Sequence, residues 1–239
     1  MNLMLSAKNE LALLIVLFVL SACSSVNKTA TSGHFSTVLI DAGHGGKDSG
    51  GTSGLHNPLF IREKDVTLDT ARRVQAILKR AGLHTVMVRD GDYFVELDNR
   101  VALANRLGSG TVLVSIHYNA TGSAAPKGVQ TFFWHANSHG LATRIQSRVV
   151  EATGETNVGV TRRRLRLTRN PEIPCVLCEC AYLTNPNELV KVADSNYRQK
   201  IAEGIAAGIL EQYRIGDSGI SPVPEIWAPL SRAQDGRSF

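Results

Sequence analysis

Residues 111–116 read Thr-Val-Leu-Val-Ser-Ile, an apolar run without charged side chains. Such a run predicts a strand covered on both faces, as in a largely parallel sheet. Further strands are predicted at 37–41, 83–88, 128–134 and 176–181, with a shorter one at 165–168. Apolar residues at helical spacing predict helices at 64–81, 95–107, 138–153 and 196–213. This alternation indicates a single α/β domain with a twisted, mixed but mostly parallel sheet of about six strands flanked by helices.

The composition is that of a globular protein. The 239 residues are 43% hydrophobic and 20% charged, which excludes a disordered chain. Only one segment is apolar enough to meet a membrane, so a polytopic membrane protein is excluded. The net charge of +5 suits an anionic partner. Because no zinc-finger spacing or RNA-binding aromatic signature accompanies the charge, we expect no nucleic-acid partner.

The N-terminus has the features of an export signal. An apolar run from Leu11 to Leu20 follows Lys8 and has the length of a signal-peptide core. The next residues complete Leu-Ser-Ala-Cys, which resembles the bacterial lipobox and implies cleavage before Cys23 and a diacylglycerol on its thiol. Ser24 then implies sorting to the periplasmic face of the outer membrane. A plain secretory signal and an uncleaved anchor are the alternatives.

Polar residues follow several predicted strands. His44 comes after the first strand, His117 after the run quoted above, and Glu179 lies at the end of the strand at 176–181. Glu63 begins the first long helix. Ligands of open α/β sheets gather at the carboxyl ends of strands. A hydrolytic zinc site needs about three protein ligands and an open position for water, and His44, Glu63 and His117 meet that need.

Four motifs occur in order along the chain. They are Val-Leu-Ile-Asp-Ala-Gly-His-Gly-Gly-Lys-Asp at 38–48, Arg-Glu-Lys-Asp at 62–65, Ser-Ile-His-Tyr-Asn at 115–119, and Cys-Glu at 178–179 followed by Leu-Thr-Asn-Pro at 183–186. Together they resemble the zinc-dependent N-acetylmuramoyl-L-alanine amidases of the amidase-3 type, and the similarity runs from about residue 37 to 213.

The resemblance implies a site and a reaction. His44, Glu63 and His117 would bind one Zn²⁺, and Glu179 would be the catalytic carboxylate. The implied hydrolase cleaves the amide between N-acetylmuramic acid and L-alanine of the stem peptide in peptidoglycan. The alternatives are a zinc peptidase acting within the stem peptide and a non-catalytic cell-wall-binding lipoprotein. Two histidines and a carboxylate also accept other divalent ions.

The same reasoning divides the chain into four parts. We expect a lipoprotein signal peptide at 1–22, a flexible tether at 23–36, the zinc amidase domain at 37–215 and a disordered tail at 216–239. The expected partners are peptidoglycan and, through the lipid, a membrane; a protein activator would leave no trace in the sequence. Residues 121–127 are too few for the blocking helix that some family members carry, so we expect an open site.

Three features have less specific interpretations. Cys175, Cys178 and Cys180 are predicted to be buried in a strand, and alternation predicts that the last two point away from Glu179. Asp48 is expected to pair with Lys47 or solvent. Five arginines, at positions 162, 163, 164, 166 and 169, are expected either to bind anionic wall polymer or to lie along a solvated strand.

Overall fold

The computed structural model describes residues 35–225. At its centre is a six-stranded sheet in the order β2-β1-β3-β6-β4-β5. The strands are β1 (Thr37–Ala42), β2 (His84–Met87), β3 (Thr111–Asn119), β4 (Val129–Phe133), β5 (Asn157–Arg162) and β6 (Cys175–Tyr182). Strands β2, β1, β3 and β6 are parallel, whereas β4 runs antiparallel to β6 and parallel to β5. The mixed, mostly parallel sheet predicted from the sequence is confirmed.

Helices cover both faces of this sheet. They are α1 (Glu63–Arg80), α2 (Leu97–Leu107), α3 (His139–Thr153), α4 (Arg166–Arg169), α5 (Pro186–Ala193) and α6 (Ser195–Ile215). Alternate strand residues separate two cores. Val38 and Ile40 join the cluster formed with α1, α3 and α6, whereas Leu39 joins a smaller cluster with α2 and α4. Among residues 35–225, no helix has the length and apolarity needed to cross a membrane.

The segment between α3 and β6 differs from the prediction. The strand expected at 165–168 is wrong: these residues enter α4, and the strand lies earlier, at 157–162. The Leu-Arg-Leu-Thr sequence alternates like a strand, but the Thr168 hydroxyl donates to the carbonyl of Arg163, 3.1 Å away, and closes a turn. Helix α5 was also not predicted. Its start is fixed by Asn185, whose side chain accepts hydrogen bonds from two backbone N–H groups of the first turn.

The three cysteines of β6 are buried and free. Cys178 and Cys180 belong to the larger core and therefore point away from Glu179, as predicted. Cys175 lies in the smaller core on the other face, with its sulfur 2.8 Å from the Leu167 carbonyl. The cysteines thus act as small apolar side chains.

The described ends of the chain lie against the domain. Phe35 is buried, and its ring centre lies 5.5 Å from that of Tyr213. At the other end, the Glu225 carboxylate accepts a hydrogen bond from the backbone N–H of Ala136 at 3.1 Å. The predicted signal peptide, Cys23, most of the predicted tether and residues 226–239 lie outside the described part.

Candidate metal and catalytic site

The loop after β1 has an unusual backbone that places His44. His44 has a φ of 62°, which is uncommon for a residue other than glycine. The preceding residue must be glycine, because a Cβ on Gly43 would lie 2.3 Å from Cε1 of His117. The two histidine rings therefore approach to 4.9 Å between their centres.

Glu63, the first residue of α1, joins the two histidines. Its Oε2 lies 3.0 Å from Nε2 of His44, and its Oε1 lies 2.9 Å from Nδ1 of His117. The backbone N–H groups of Gly51 and Tyr118 also donate to this carboxylate, at 2.8 and 3.0 Å. One ligand atom from each of the three side chains lies within 4.8 Å of the others. The fold thus brings together the three residues that the sequence analysis selected.

The electrostatics of this trio suit a cation. Burial disfavours a charged imidazole, but Glu63 and Asp48 outweigh it and raise the pKa of His44 to about 9. Burial alone would raise the pKa of Glu63, yet the adjacent imidazoles of His117 and His44 hold that pKa well below its usual range. The buried carboxylate therefore needs positive charge beside it.

A divalent ion fits these residues. The Nε2 atom of His44 is buried and makes no hydrogen bond, although it faces Glu63 closely. Two imidazoles and one carboxylate are a donor set found in hydrolytic zinc sites, which keep a fourth position for water. The unpartnered nitrogen and the donor chemistry together identify the trio as a candidate metal site.

Asp48 orients His44 from behind. Its Oδ2 lies 2.8 Å from Nδ1 of His44, and its Oδ1 accepts the N–H of Gly50 at 3.0 Å. Of the two partners expected for Asp48, Lys47 is not one, because it instead lies 3.9 Å from Glu96. The Asp48 side chain remains 42% exposed to solvent. The glycine-rich turn bends the chain so that a carboxylate four residues after the histidine reaches back to its ring. Such carboxylate–histidine pairs fix the ligating nitrogen at metal sites.

A buried arginine holds the loop that carries His44. Arg89 is fully buried, and its guanidinium donates to the carbonyls of Ala42, Gly43 and Lys64 at 2.8–2.9 Å. It thereby ties the end of β1 to the first turn of α1. This role is not predictable from the sequence, since the three carbonyls lie 25 to 47 residues away.

A second buried arginine acts on the same loop. Arg100 of α2 forms an ion pair with Asp41 and donates to the carbonyl of His44 at 2.9 Å. Asp41 also accepts the hydroxyl of Ser115 at 2.7 Å. This network connects α2, β1 and β3 beneath the candidate metal site and fixes the left-handed conformation of His44.

Glu179 lies beside this site on the neighbouring strand. It is in register with His117 on β3 and with Gln130 on β4. Its Oε2 is buried without a hydrogen-bond partner. Burial and then the charge of Glu63 raise the pKa of Glu179 well above its usual value. A carboxyl group in this state can hold a proton near neutral pH.

The four residues meet at the edge of the sheet where β1, β3 and β6 end, as predicted from the strand positions. Residues 120–128, which connect β3 to β4, contain no helix. Three side chains that could hold a metal and a carboxyl group that can carry a proton are thus brought to one edge of the sheet. These are the elements of metal-assisted hydrolysis.

Comparison with known proteins finds N-acetylmuramoyl-L-alanine amidases among the relatives of this chain. The catalytic domain of CwlV, an N-acetylmuramoyl-L-alanine amidase from Bacillus (Paenibacillus) polymyxa, is 37% identical, covers 74% of this chain and 97% of that one, and superposes with a TM-score of 0.69. The N-acetylmuramoyl-L-alanine amidase AmiC2 of Nostoc punctiforme is 36% identical over 73% of this chain and 95% of its own, with a TM-score of 0.68.

A third relative is longer. The probable cell wall amidase LytH of Staphylococcus epidermidis is 32% identical over 74% of this chain, which spans 58% of LytH. The family model described as N-acetylmuramoyl-L-alanine amidase matches residues 38–211, which include His44, Glu63, His117 and Glu179. Since this match covers well over half of the chain, the protein belongs to the N-acetylmuramoyl-L-alanine amidase family.

Proposed function

We propose that the protein is a zinc-dependent N-acetylmuramoyl-L-alanine amidase, which hydrolyses the amide between N-acetylmuramic acid and the L-alanine of the peptidoglycan stem peptide. The observation that carries the proposal is the arrangement of three ligand atoms within 4.8 Å next to Glu179, whose Oε2 is buried without a hydrogen-bond partner. Family membership supports the same substrate and bond.

His44, Glu63 and His117 would hold the ion. A divalent ion there would supply Lewis-acid chemistry, polarising the scissile carbonyl and lowering the pKa of water. The two neutral imidazoles and one carboxylate favour zinc among the common divalent ions. Asp48 keeps the ligating nitrogen of His44 turned inward, and the two backbone N–H bonds to Glu63 fix its carboxylate.

Glu179 would move the protons. Its carboxylate accepts a proton from the attacking water, and the resulting carboxylic acid gives that proton to the leaving amine, the α-amino group of the L-alanine that begins the released stem peptide. The surroundings that raise its pKa favour the protonated form, so the proton remains on Glu179 until the amine takes it. Positioned proton transfer of this kind contributes about 10²- to 10⁴-fold to a rate.

We further propose that the protein is exported and anchored by a lipid on Cys23 to the periplasmic face of the outer membrane. The apolar leader and the Leu-Ser-Ala-Cys sequence at 20–23 support this location, as does a relative described as a cell wall amidase. The amidase domain would then comprise residues 37–215, between the tether and the C-terminal tail.

The reaction can be tested with the full-length protein in detergent micelles and purified peptidoglycan. We expect stem peptides that begin with L-alanine, identified by mass spectrometry, which disappear with a chelator and return with zinc. Glu179→Gln should retain bound zinc and lose at least about 100-fold in turnover. The matched control Glu203→Gln, an exposed residue on α6, should behave like the wild type.

Other products would contradict the proposal in different ways. Cleavage within the stem peptide would reassign the protein as a peptidase. Binding to peptidoglycan without cleavage by the zinc-loaded protein would indicate a non-catalytic wall-binding protein. Near-native turnover by Glu179→Gln would remove Glu179 from the mechanism.

A further inference from the structure

Arg163 lies on the same face of the sheet as Glu179. It directly follows β5, and its guanidinium carbon lies 5.3 Å from the centre of the Phe132 ring on β4. Phe132 is in register with Leu177, which precedes Glu179 by two residues on β6. Because side chains alternate along a strand, Glu179, Leu177 and Phe132 point to one face, and Arg163 extends over that face.

This part of the sheet has few covering elements. Helices α1, α3 and α6 occupy the opposite face, and α2 and α4 pack against residues of β1, β3 and the start of β6. Next to Glu179 the face presents the partly exposed side chains of Gln130 and Thr161, which hydrogen-bond each other at 2.9 Å. A partly exposed strip therefore runs from Glu179 past Gln130 and Thr161 to Arg163, whose guanidinium covers the buried Phe132 ring.

The charge on Arg163 is available to a ligand. Its side chain is exposed, and among residues 35–225 its guanidinium makes no hydrogen bond or ion pair. Its neighbours differ: Arg162 donates to the carbonyls of Trp134 and Pro224, and Arg166 pairs with Asp98. The contact with Phe132 orients the guanidinium without using its N–H donors.

The spacing matches an extended peptide. Phe132 lies two residues along the strand and one strand across from Glu179, so their backbones are about 8 Å apart. The Arg163 guanidinium lies over the ring of Phe132. A peptide advances at most about 3.6 Å per residue. In peptidoglycan, L-alanine is followed by a glutamate joined through its γ-carboxyl group. The free α-carboxylate of that glutamate lies within about 7 Å of the scissile amide, so a guanidinium over Phe132 can reach it when the amide lies beside Glu179.

We propose that Arg163 binds the free α-carboxylate of the second stem-peptide residue and so selects stem peptides in which this group is not amidated. The inference rests on the proposed amidase function and adds a substrate-specificity site to it. Arginine binds a carboxylate through two parallel N–H···O bonds, a geometry that lysine and neutral side chains do not reproduce.

The test uses two synthetic N-acetylmuramoyl tripeptides that end in lysine amide. One carries glutamate with a free α-carboxylate, and the other carries its α-amide. We expect Arg163→Gln in the full-length protein to lower kcat/KM for the carboxylate substrate about 10- to 100-fold and to change the amide substrate less than about threefold. Arg164→Gln, which removes the same charge one residue away, should leave the preference for the carboxylate unchanged.

Calorimetric binding of the two released tripeptides separates failure of this inference from failure of the proposed function. If the wild type cleaves both substrates with equal kcat/KM, or if Arg163→Gln affects both equally, the inference is wrong and the amidase function stands. If neither substrate is cleaved, the proposed function fails. The inference is then also overturned, unless the wild type binds the carboxylate tripeptide more tightly than the amide tripeptide and Arg163→Gln abolishes that difference.

Discussion

Asp48 has a role that depends on a single contact, its 2.8 Å hydrogen bond to Nδ1 of His44. We expect Asp48→Asn to weaken zinc binding by about 10- to 100-fold, because an outer carboxylate fixes and polarises the ligating imidazole. Competition with a chelator of known affinity measures this effect.

Asp65→Asn is the matched control, since Asp65 forms only an exposed ion pair with Arg62 on the outer side of α1. It should bind zinc with the affinity of the wild type. Wild-type affinity in Asp48→Asn as well would show that the ring of His44 is held by the backbone alone.

Single residues also show where sequence reasoning succeeds. His44, His117 and Glu179 were identified because each lies at or just after the end of a strand, where chain position alone predicts proximity. Arg89 and Arg100 were not identified, because their role lies in hydrogen bonds to backbone carbonyls that only the folded chain brings near. An isolated arginine after a predicted strand carries no signal of such burial.

Helices α3 and α6 approach each other closely. A Cβ on Gly208 would lie 2.6 Å from the Cα of Ile145, and one on Gly204 would lie 2.7 Å from the Cα of Val149. In both cases the obstructing atoms are backbone, so neither neighbour can rotate away. The contact therefore requires two glycines four residues apart on one face of α6.

Gly208→Ala sets two effects against each other. Alanine favours a helix interior by about 1 kcal/mol over glycine, whereas forcing extra volume into a packed contact costs about 1–3 kcal/mol. We expect the steric cost to win and the free energy of unfolding to fall, as measured by urea denaturation.

Gly122→Ala serves as the control, because a Cβ there meets no atom within 4 Å. Its stability should stay within about 0.5 kcal/mol of the wild type. A Gly208→Ala variant that is more stable than the wild type would mean that the two helices can separate without loss.

Element prediction failed where local and tertiary signals disagree. Residues 165–168 alternate as a strand does, yet Leu167 is buried beneath β6 and the turn is closed by Thr168. Strand β5 has only two apolar residues, valines on either side of Gly159, and lies at the edge of the sheet. Its sequence therefore shows little of the hydrophobic periodicity that predicts a strand. The central strands were predicted well because burial on both faces leaves a continuous apolar run.

For the whole molecule, the candidate metal site joins elements distant in sequence. His44, Glu63 and His117 come from the β1 loop, α1 and β3, and only the folded chain brings them together. A bound ion would therefore stabilise the folded state but not the unfolded one. At a zinc concentration 100-fold above the dissociation constant, this stabilisation is about 2.7 kcal/mol. For a domain of this size we expect zinc to raise Tm by roughly 5–10 °C.

Scanning calorimetry with and without a chelator measures this shift. Glu179→Gln should show the full shift, because Glu179 is not among the proposed ligands, whereas His117→Ala should show little of it. A Tm that does not respond to zinc in the wild type would contradict the metal site regardless of any activity result.

The direction of β1 has a consequence for how the enzyme works at a surface. The chain enters the domain at Phe35 and Thr37, and the catalytic edge lies at the far end of the strand, six residues or about 20 Å away. In a molecule anchored to a membrane by its N-terminus, the catalytic edge would therefore face away from that membrane. The distance from the membrane to the catalytic edge would then be set by the domain and by the length of the segment at 23–36. Shortening that segment should change which layer of the wall is hydrolysed and should leave the turnover of soluble peptidoglycan fragments unchanged.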